Sequence, residues 1–240
     1  MNETNKVRKY KYLSFVRNAV GEILLIVIGI LIAFEIDNWQ LANAEKKLQI
    51  NILKGIKSDI ESDLYDVNYN IRKYLKYQDS DRIVMEHIVN KKPKDKHIVS
   101  QIERFTREDY TIILHHSHFE ETKSKGLSII TNETLRDSIS KLYEFDYPYL
   151  TYSENEDIFY DHLKILNPEL IRYIELDSNG IHISDASYQE LTQNKHIHFI
   201  INKAIKMKSM LFNDHYLPKL GTMMNTLKLI DKELSYLEQD

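Results

Sequence analysis

Apolar residues recur every three or four positions along much of this chain. Between about 45 and 90 they fall at Leu48, Ile52, Ile56, Ile60, Leu64, Val67, Ile71 and Leu75, with mostly charged or polar residues between them. That spacing collects them on one side of a helix. Forty-five helical residues would rise about 68 Å, and an apolar stripe of that length needs partners. A second long pattern starts at Asn194 or Lys195. It runs through Phe199, Ala204, Met207 and Leu211, then Leu220, Met224, Leu227, Ile230, Leu234 and Leu237. Pro218 should kink it or divide it in two, because proline lacks the N–H and collides with the preceding turn. If the two long helices lie antiparallel, the last apolar residues, Leu227 to Leu237, face Leu48, Ile52 and Ile56 and cover both stripes.

A third helix is expected from Asn132, an N-cap residue type, through Leu135, Ile139, Leu142 and Tyr143. Pro148 should kink or end it, and the pattern resumes near Glu154 until Asn167-Pro168. Shorter helices fit 96–108 and 117–125, the latter closed by Gly126. Residues 172–176 alternate, Asp177-Ser178-Asn179-Gly180 is turn-like, and residues 181–183 alternate again. That stretch, near 172–184, reads equally as a small β-hairpin or as an irregular loop.

Near the N-terminus the pattern changes. Lys6, Arg8, Lys9, Lys11 and Arg17 precede Ala19-Val20-Gly21-Glu22, an unbroken apolar run over 23–34, and Glu35-Ile36-Asp37-Asn38-Trp39. The run alone covers about 18 Å against a hydrocarbon core of about 30 Å. Counted from Ala19 to Ile36 it reaches about 27 Å, and Tyr10, Tyr12 and Trp39 suit interfacial aromatic belts. The expectation is one transmembrane signal-anchor helix at 19–39. It divides a basic cytoplasmic tail at 1–18 from an exported, periplasmic domain at 40–240, because the cations precede the helix. Two other readings compete: a cleaved signal peptide ending at Ala42-Asn43-Ala44, and a buried helix. Glu22, Gly29, Ala33 and Ile36 share a narrow stripe, with Gly29 and Ala33 as a small-xxx-small pair, so Glu22, Gly29 and Ala33 are the expected transmembrane interface. Glu22 and Glu35 are the expected intramembrane charges, placed near the ends of the span.

Composition supports helices. Only 6 Gly and 4 Pro occur in 240 residues, too few for the many turns of an all-β fold. The fold class expected is mainly α: one N-terminal transmembrane helix followed by an elongated antiparallel helical bundle. Net charge is −4, and no basic block lies beyond the first 18 residues, so the footprint of a nucleic-acid partner is missing. The chain has no Cys, which excludes disulfides, thiolate metal sites and a Cys nucleophile.

The segment Ala19-Val20-Gly21-Glu22-Ile23-Leu24-Leu25-Ile26-Val27-Ile28-Gly29-Ile30-Leu31-Ile32-Ala33-Phe34, followed by Asn38-Trp39, resembles the anchor of an uncharacterised family of bacterial single-pass membrane proteins. Phe119, the short helix up to Gly126, residues 127–130, and Asn132-Glu133-Thr134-Leu135-Arg136 are similar to a second pattern of that family. The resemblance implies an envelope location and a helical domain. It implies no activity and no catalytic residues.

The densest set of potential ligands is His115, His116 and His118 with Glu120 and Glu121. Imidazole and carboxylate suit Zn²⁺, Cu²⁺ or Ni²⁺, and His116 and Glu120 would share a helix face. No H-E-x-x-H occurs, and solvated histidines at a helix entrance explain the set as well. His116, His118 and Glu120 therefore remain weak metal candidates, and His182, His196 and His198 form a looser set. Neither G-x-S-x-G nor a phosphate loop is present. Carboxylate pairs such as Asp59 with Asp63, or Glu154 with Glu156 and Asp157, read as solvated helix faces. Tyr143, Tyr147, Tyr149, Tyr152 and Tyr160 gather around Pro148, as packing of a kinked helix or as an interaction groove.

The function expected from sequence is a membrane-anchored helical scaffold or protein-interaction module of the bacterial envelope, without enzymatic activity and without a cofactor. Its partners would be the inner-membrane bilayer and copies of itself or another envelope protein. The alternatives are a tethered ligand-sensing bundle, or an accessory subunit of an ion-driven complex using an intramembrane Glu.

Overall fold

A computed structural model describes residues 3–106, 110–153, 166–178 and 180–239, with side chains from residue 21 onward. The chain divides into two compact units, Met1–Asn51 and Ile52–Asp240. The first helix, α1 (Glu3–Val84), ends in a π-helical turn at Met85–Val89. Then come α2 (Ile98–Thr106), α3 (Ser117–Lys125), α4 (Glu133–Lys141), α5 (Tyr147–Tyr152) and α6 (Asn167–Ile171). A two-stranded sheet, β1 (Glu175–Asp177) and β2 (Gly180–His182), is followed by α7 (Asp185–Gln193), α8 (Lys195–Met210) and α9 (Leu217–Gln239).

In the first unit the large apolar side chains at 23–34, with Ile36, Trp39 and Leu41, are 45% to 70% exposed. Among the described residues no helix is long and apolar enough to cross a membrane. The physical reason lies in the flanks. The uninterrupted run reaches only about 18 Å, and Glu22 on one side and Glu35 and Asp37 on the other carry charge into any longer window. This overturns the expected transmembrane helix at 19–39 and what hung on it. The bilayer as partner, a membrane anchor, Glu22 and Glu35 as intramembrane charges and a single-pass inner-membrane location all lose their support. So does a lipid-buried interface at Glu22, Gly29 and Ala33; Gly29 has open space beside it.

The second unit is a mainly helical bundle. Its antiparallel pairing of α1 with α9 is as the spacing predicts. Lys54 meets Glu238 at 2.7 Å and Lys57 meets Asp231 at 2.6 Å, so positions rising on α1 meet positions falling on α9. Ile52, Ile56 and Ile60 are buried on one helix, and Met223, Ile230, Leu234 and Leu237 on the other. Each such side chain removed from water is worth roughly 1.5–3 kcal/mol. A second cluster joins Val84 and Ile88 to Ile98, Ile102 and Phe105 of α2, Leu191 of α7, and Ile197, Ile201 and Ala204 of α8. Between them, Tyr74, Tyr110, Leu150, Leu211, Phe212 and Tyr216 form a third, largely aromatic group.

At two prolines the helix does not end, because of an unanticipated device. Before Pro148 and before Pro218 the helix widens into π-helical turns, Leu142–Asp146 and Leu211–Tyr216. There Tyr147 N–H reaches back five residues to Leu142 O, and Leu217 N–H to Phe212 O. The carbonyls a proline ring would strike belong to Glu144 and Asp214, four residues earlier. Each lies inside the widened turn, so the chain shifts its ladder and continues. Pro168 instead sits in the first turn of α6, where its missing N–H costs nothing. The expected helix over 154–167 falls almost wholly outside the described residues. Asn132 caps α4, accepting from Leu135 N–H, and Gly126 takes φ +100° after α3. The hairpin forms, with Leu176 opposite Ile181, but both side chains are exposed.

Candidate functional site

The built polar site of the second unit lies on α1, where Asp59, Asp63 and Asn70 occupy the face otherwise given to Ile56, Ile60 and Val67. All three are buried, Asp63 completely. That corrects the reading of Asp59 with Asp63 as a solvated pair. The spacings of four and seven residues place all three along one side of the helix. Leu75, which the apolar spacing assigned to that side, is exposed.

A strap, residues 110–118, irregular up to His116 and ending in the first turn of α3, lies along this face in the opposite direction. Asn70 Nδ2 donates to Thr111 O at 3.1 Å. Asp63 Oδ1 accepts both the main-chain N–H of His115 at 2.9 Å and its ring Nδ1 at 2.7 Å. One turn earlier, Asp59 Oδ2 accepts His118 N–H at 3.2 Å and Asp59 Oδ1 accepts the His118 ring Nδ1 at 2.9 Å. Each carboxylate thus grips one residue by backbone and ring together. Tyr216 Oη pins the start of the strap by donating to Tyr110 O at 2.9 Å. Thr122 Oγ1 donates to His118 O at 2.6 Å.

Tyr143 and Tyr147 close the site from the π-helical turn and α5. Their rings meet edge to face at 5.0 Å, and the His116 ring stands edge-on to both at 5.8 Å. Phe119 stacks on Tyr143 at 4.5 Å. Both tyrosine hydroxyls are buried beside Asp63, yet neither they nor Asp63 Oδ2 complete a hydrogen bond of good geometry. Burial in this company lifts both phenols far above the ordinary tyrosine value, and the nearby Asp63 charge lifts them further. Burial also pushes the Asp63 carboxyl above the usual carboxylate range, against the pull of the hydrogen bonds from His115 and of the nearby Tyr147 hydroxyl. The hydrogen bond to Asp63 raises His115 above the usual histidine value.

These contacts decide what the histidine cluster does. His118 is committed through Nδ1 to Asp59, the His116 ring packs on tyrosines, and Glu120 is exposed. Among the described residues no group of three or more His, Asp or Glu side chains could hold a metal ion. His182 lies on the hairpin near Glu175 and Asp177 at 3.6 and 3.7 Å. The His198 ring faces Thr192 O at 3.1 Å, and His196 is exposed. Tyr143 and Tyr147 are core, Tyr149 and Tyr152 are exposed, and Tyr160 lies outside the described residues. The arrangement can hold a strap and carry a proton at its half-exposed imidazole.

Asp63 and Asn70 had a sequence signal. They fall where the three- and four-residue spacing asks for apolar side chains, and polar residues on a core face need partners. Another signal is Gly55 in mid-helix, a costly choice unless something must approach closely. A second buried ion pair lies further along α1. Lys208 Nζ of α8 meets Asp81 at 2.9 Å and sits 4.2 Å from the Phe105 ring centre. It borders an open groove of about 700 Å³ that Tyr74, Asp79, Arg82, Glu86 and Ser209 also line.

The model of a protein family described only as a family of unknown function (DUF6090) matches residues 22–170. No curated protein and no solved structure matches the chain.

Proposed function

We propose that this chain, which belongs to the family of unknown function DUF6090 on a match over more than half its length, works as a non-enzymatic helical interaction module that assembles with copies of itself. The observation that carries this reading is the run at 23–34 with Ile36, Trp39 and Leu41, whose large side chains are 45% to 70% exposed on one helix. Together they present on the order of 1,000 Å² of apolar surface, above the few hundred Å² usual for a monomer. An area of that size suits a stable protein–protein interface. Because the run is apolar on every side, a single partner helix would leave much of it in water, so several copies cover it better than two.

Trp39 is the only tryptophan in the chain, so its emission reports on this segment alone. Sedimentation of the full chain should show an oligomer with blue-shifted Trp39 emission. Leu25→Glu combined with Ile32→Glu should give a monomer with red-shifted emission. A wild-type monomer with solvent-exposed Trp39 at tens of micromolar would overturn the reading. So would assembly that appears only when lipid vesicles are added.

A further inference from the structure

We propose that the strap at residues 110–118 is a proton-operated clasp on α1, in which protonated His115 is the counter-ion of the buried Asp63 and loss of that proton loosens the strap. The geometry has three parts. Asp63 is completely buried, while the His115 side chain is 45% exposed, so the pair joins a desolvated carboxylate to an imidazole that exchanges protons with water. His115 stands between two further ties: Asn70 holds Thr111 on one side and Asp59 holds His118 on the other. The charges that α1 brings to His115 are all acidic. From α1 it faces Asp63, Asp59 and Asp66, and across the site Tyr143 and Tyr147 crowd the same carboxylate. Its strap neighbours are His116 and His118. With the imidazole neutral, Asp59 and Asp63 remain as like charges one helical turn apart, a pairing that disfavours their side of the helix.

The direction of the effect follows from linkage. His115 is raised in the folded chain. The stability it contributes is complete below the unfolded histidine value and is lost as pH rises through its folded value. Asp63 is raised too, by burial, so it acts in the same sense, its contribution falling as pH rises from the ordinary carboxylate range. Because the pair needs Asp63 ionised, His115 sets the response of the strap: it is tighter where His115 is protonated and looser toward alkaline pH.

The test is hydrogen–deuterium exchange of the full chain from about pH 6 to about pH 8.5, across the histidine range, with each rate divided by that of an unstructured peptide at the same pH. The expected result is that protection of the strap peptide falls severalfold with rising pH, while that of α8 stays constant. His115→Gln should flatten the strap profile. Strap protection independent of pH, or a fall shared equally by α8, overturns the proposal. A wild-type measurement guards against a variant that misfolds. The His115 ring, followed by nuclear magnetic resonance, should titrate above the free-histidine value, and titration at or below that value overturns the proposal as well.

Discussion

The His118 ring lies so close over Gly55 that a Cβ at that glycine would come within 2.3 Å of His118 Cδ2. The ring cannot simply swing aside, because Asp59 holds it through Nδ1 and holds its main-chain N–H as well. Gly55→Ala gains about 1 kcal/mol of helix propensity but forces His118 off Asp59 or bends α1, at a cost of roughly 1–3 kcal/mol. Urea denaturation should show net destabilisation. Gly221→Ala is the control. It lies within α9 with nothing within 4 Å of the new Cβ, and it should raise the midpoint. Shifts of the same sign in both variants would contradict the close approach at Gly55.

The buried pair of Lys208 and Asp81 predicts a lopsided response to mutation. Both side chains are under a tenth exposed, and burial pushes the Asp81 carboxyl up, partly offset by Lys208. Lys208→Met strands a buried carboxylate, so a loss of about 3–5 kcal/mol is expected at neutral pH. Asp81→Leu combined with Lys208→Met removes both charges and should recover most of that loss. A double-mutant cycle in urea checks this. Additive single and double effects would show that the pair does not act as a unit.

Tyr143 and Tyr147 should be invisible to alkali until the domain unfolds. Their folded values lie far above the ordinary phenol, so they favour the folded state below that ordinary value and withdraw that support as pH rises beyond it. Titration followed by phenolate absorbance should give the same native amplitude for the wild type and for Tyr143→Phe with Tyr147→Phe. A smaller amplitude in the variant before unfolding would mean that these hydroxyls reach solvent.

How far the sequence could be read differs from element to element. The pairing of α1 with α9 was legible because two long stripes with three- and four-residue spacing leave few other ways to hide apolar surface. The Asn132 cap and the Gly126 stop were legible because their chemistry is local, whereas the turn at Gly180 left a hairpin and an irregular loop equally open until the pairing of Leu176 with Ile181 decided it. Asp59 and Asp63 were misread, since a carboxylate among charges looks solvated until a strap 52 to 59 residues further along is laid on it. The π-helical turns escaped too: proline predicts that something must give, without saying that the ladder will widen rather than break. α7 was missed, although Ser184 caps it by accepting from Ser187 N–H. The span at 19–39 failed on length and flanking charge, the two quantities on which that reading depended.

Asn132 joins two helices at once, and its two roles can be separated. Its Oδ1 accepts Leu135 N–H at 3.2 Å and caps α4, while its Nδ2 donates to Glu233 Oε2 of α9 at 2.7 Å. Glu233 is 9% exposed, so its carboxylate depends on such protein donors in place of water. Asn132→Ala removes both contacts, and the cap alone is worth about 1 kcal/mol. Asn132→Asp keeps a capping oxygen, and its charge suits a helix N-terminus, but it replaces the amide donor with a second carboxylate facing Glu233. If capping were the whole role, Asn132→Asp would be as stable as wild type at neutral pH. The geometry instead predicts that it is destabilised there, because two carboxylates in a part-buried site repel. One of the two should then hold its proton above the ordinary carboxylate range. Stability relative to wild type should recover as pH falls through that raised value, since the folded state of the variant then binds more protons than the unfolded chain. Urea midpoints of wild type, Asn132→Ala and Asn132→Asp at neutral pH and in mild acid decide the matter. A variant Asn132→Asp whose deficit is the same at both pH values would rule out the charge conflict and leave the bond to Glu233 without energetic weight.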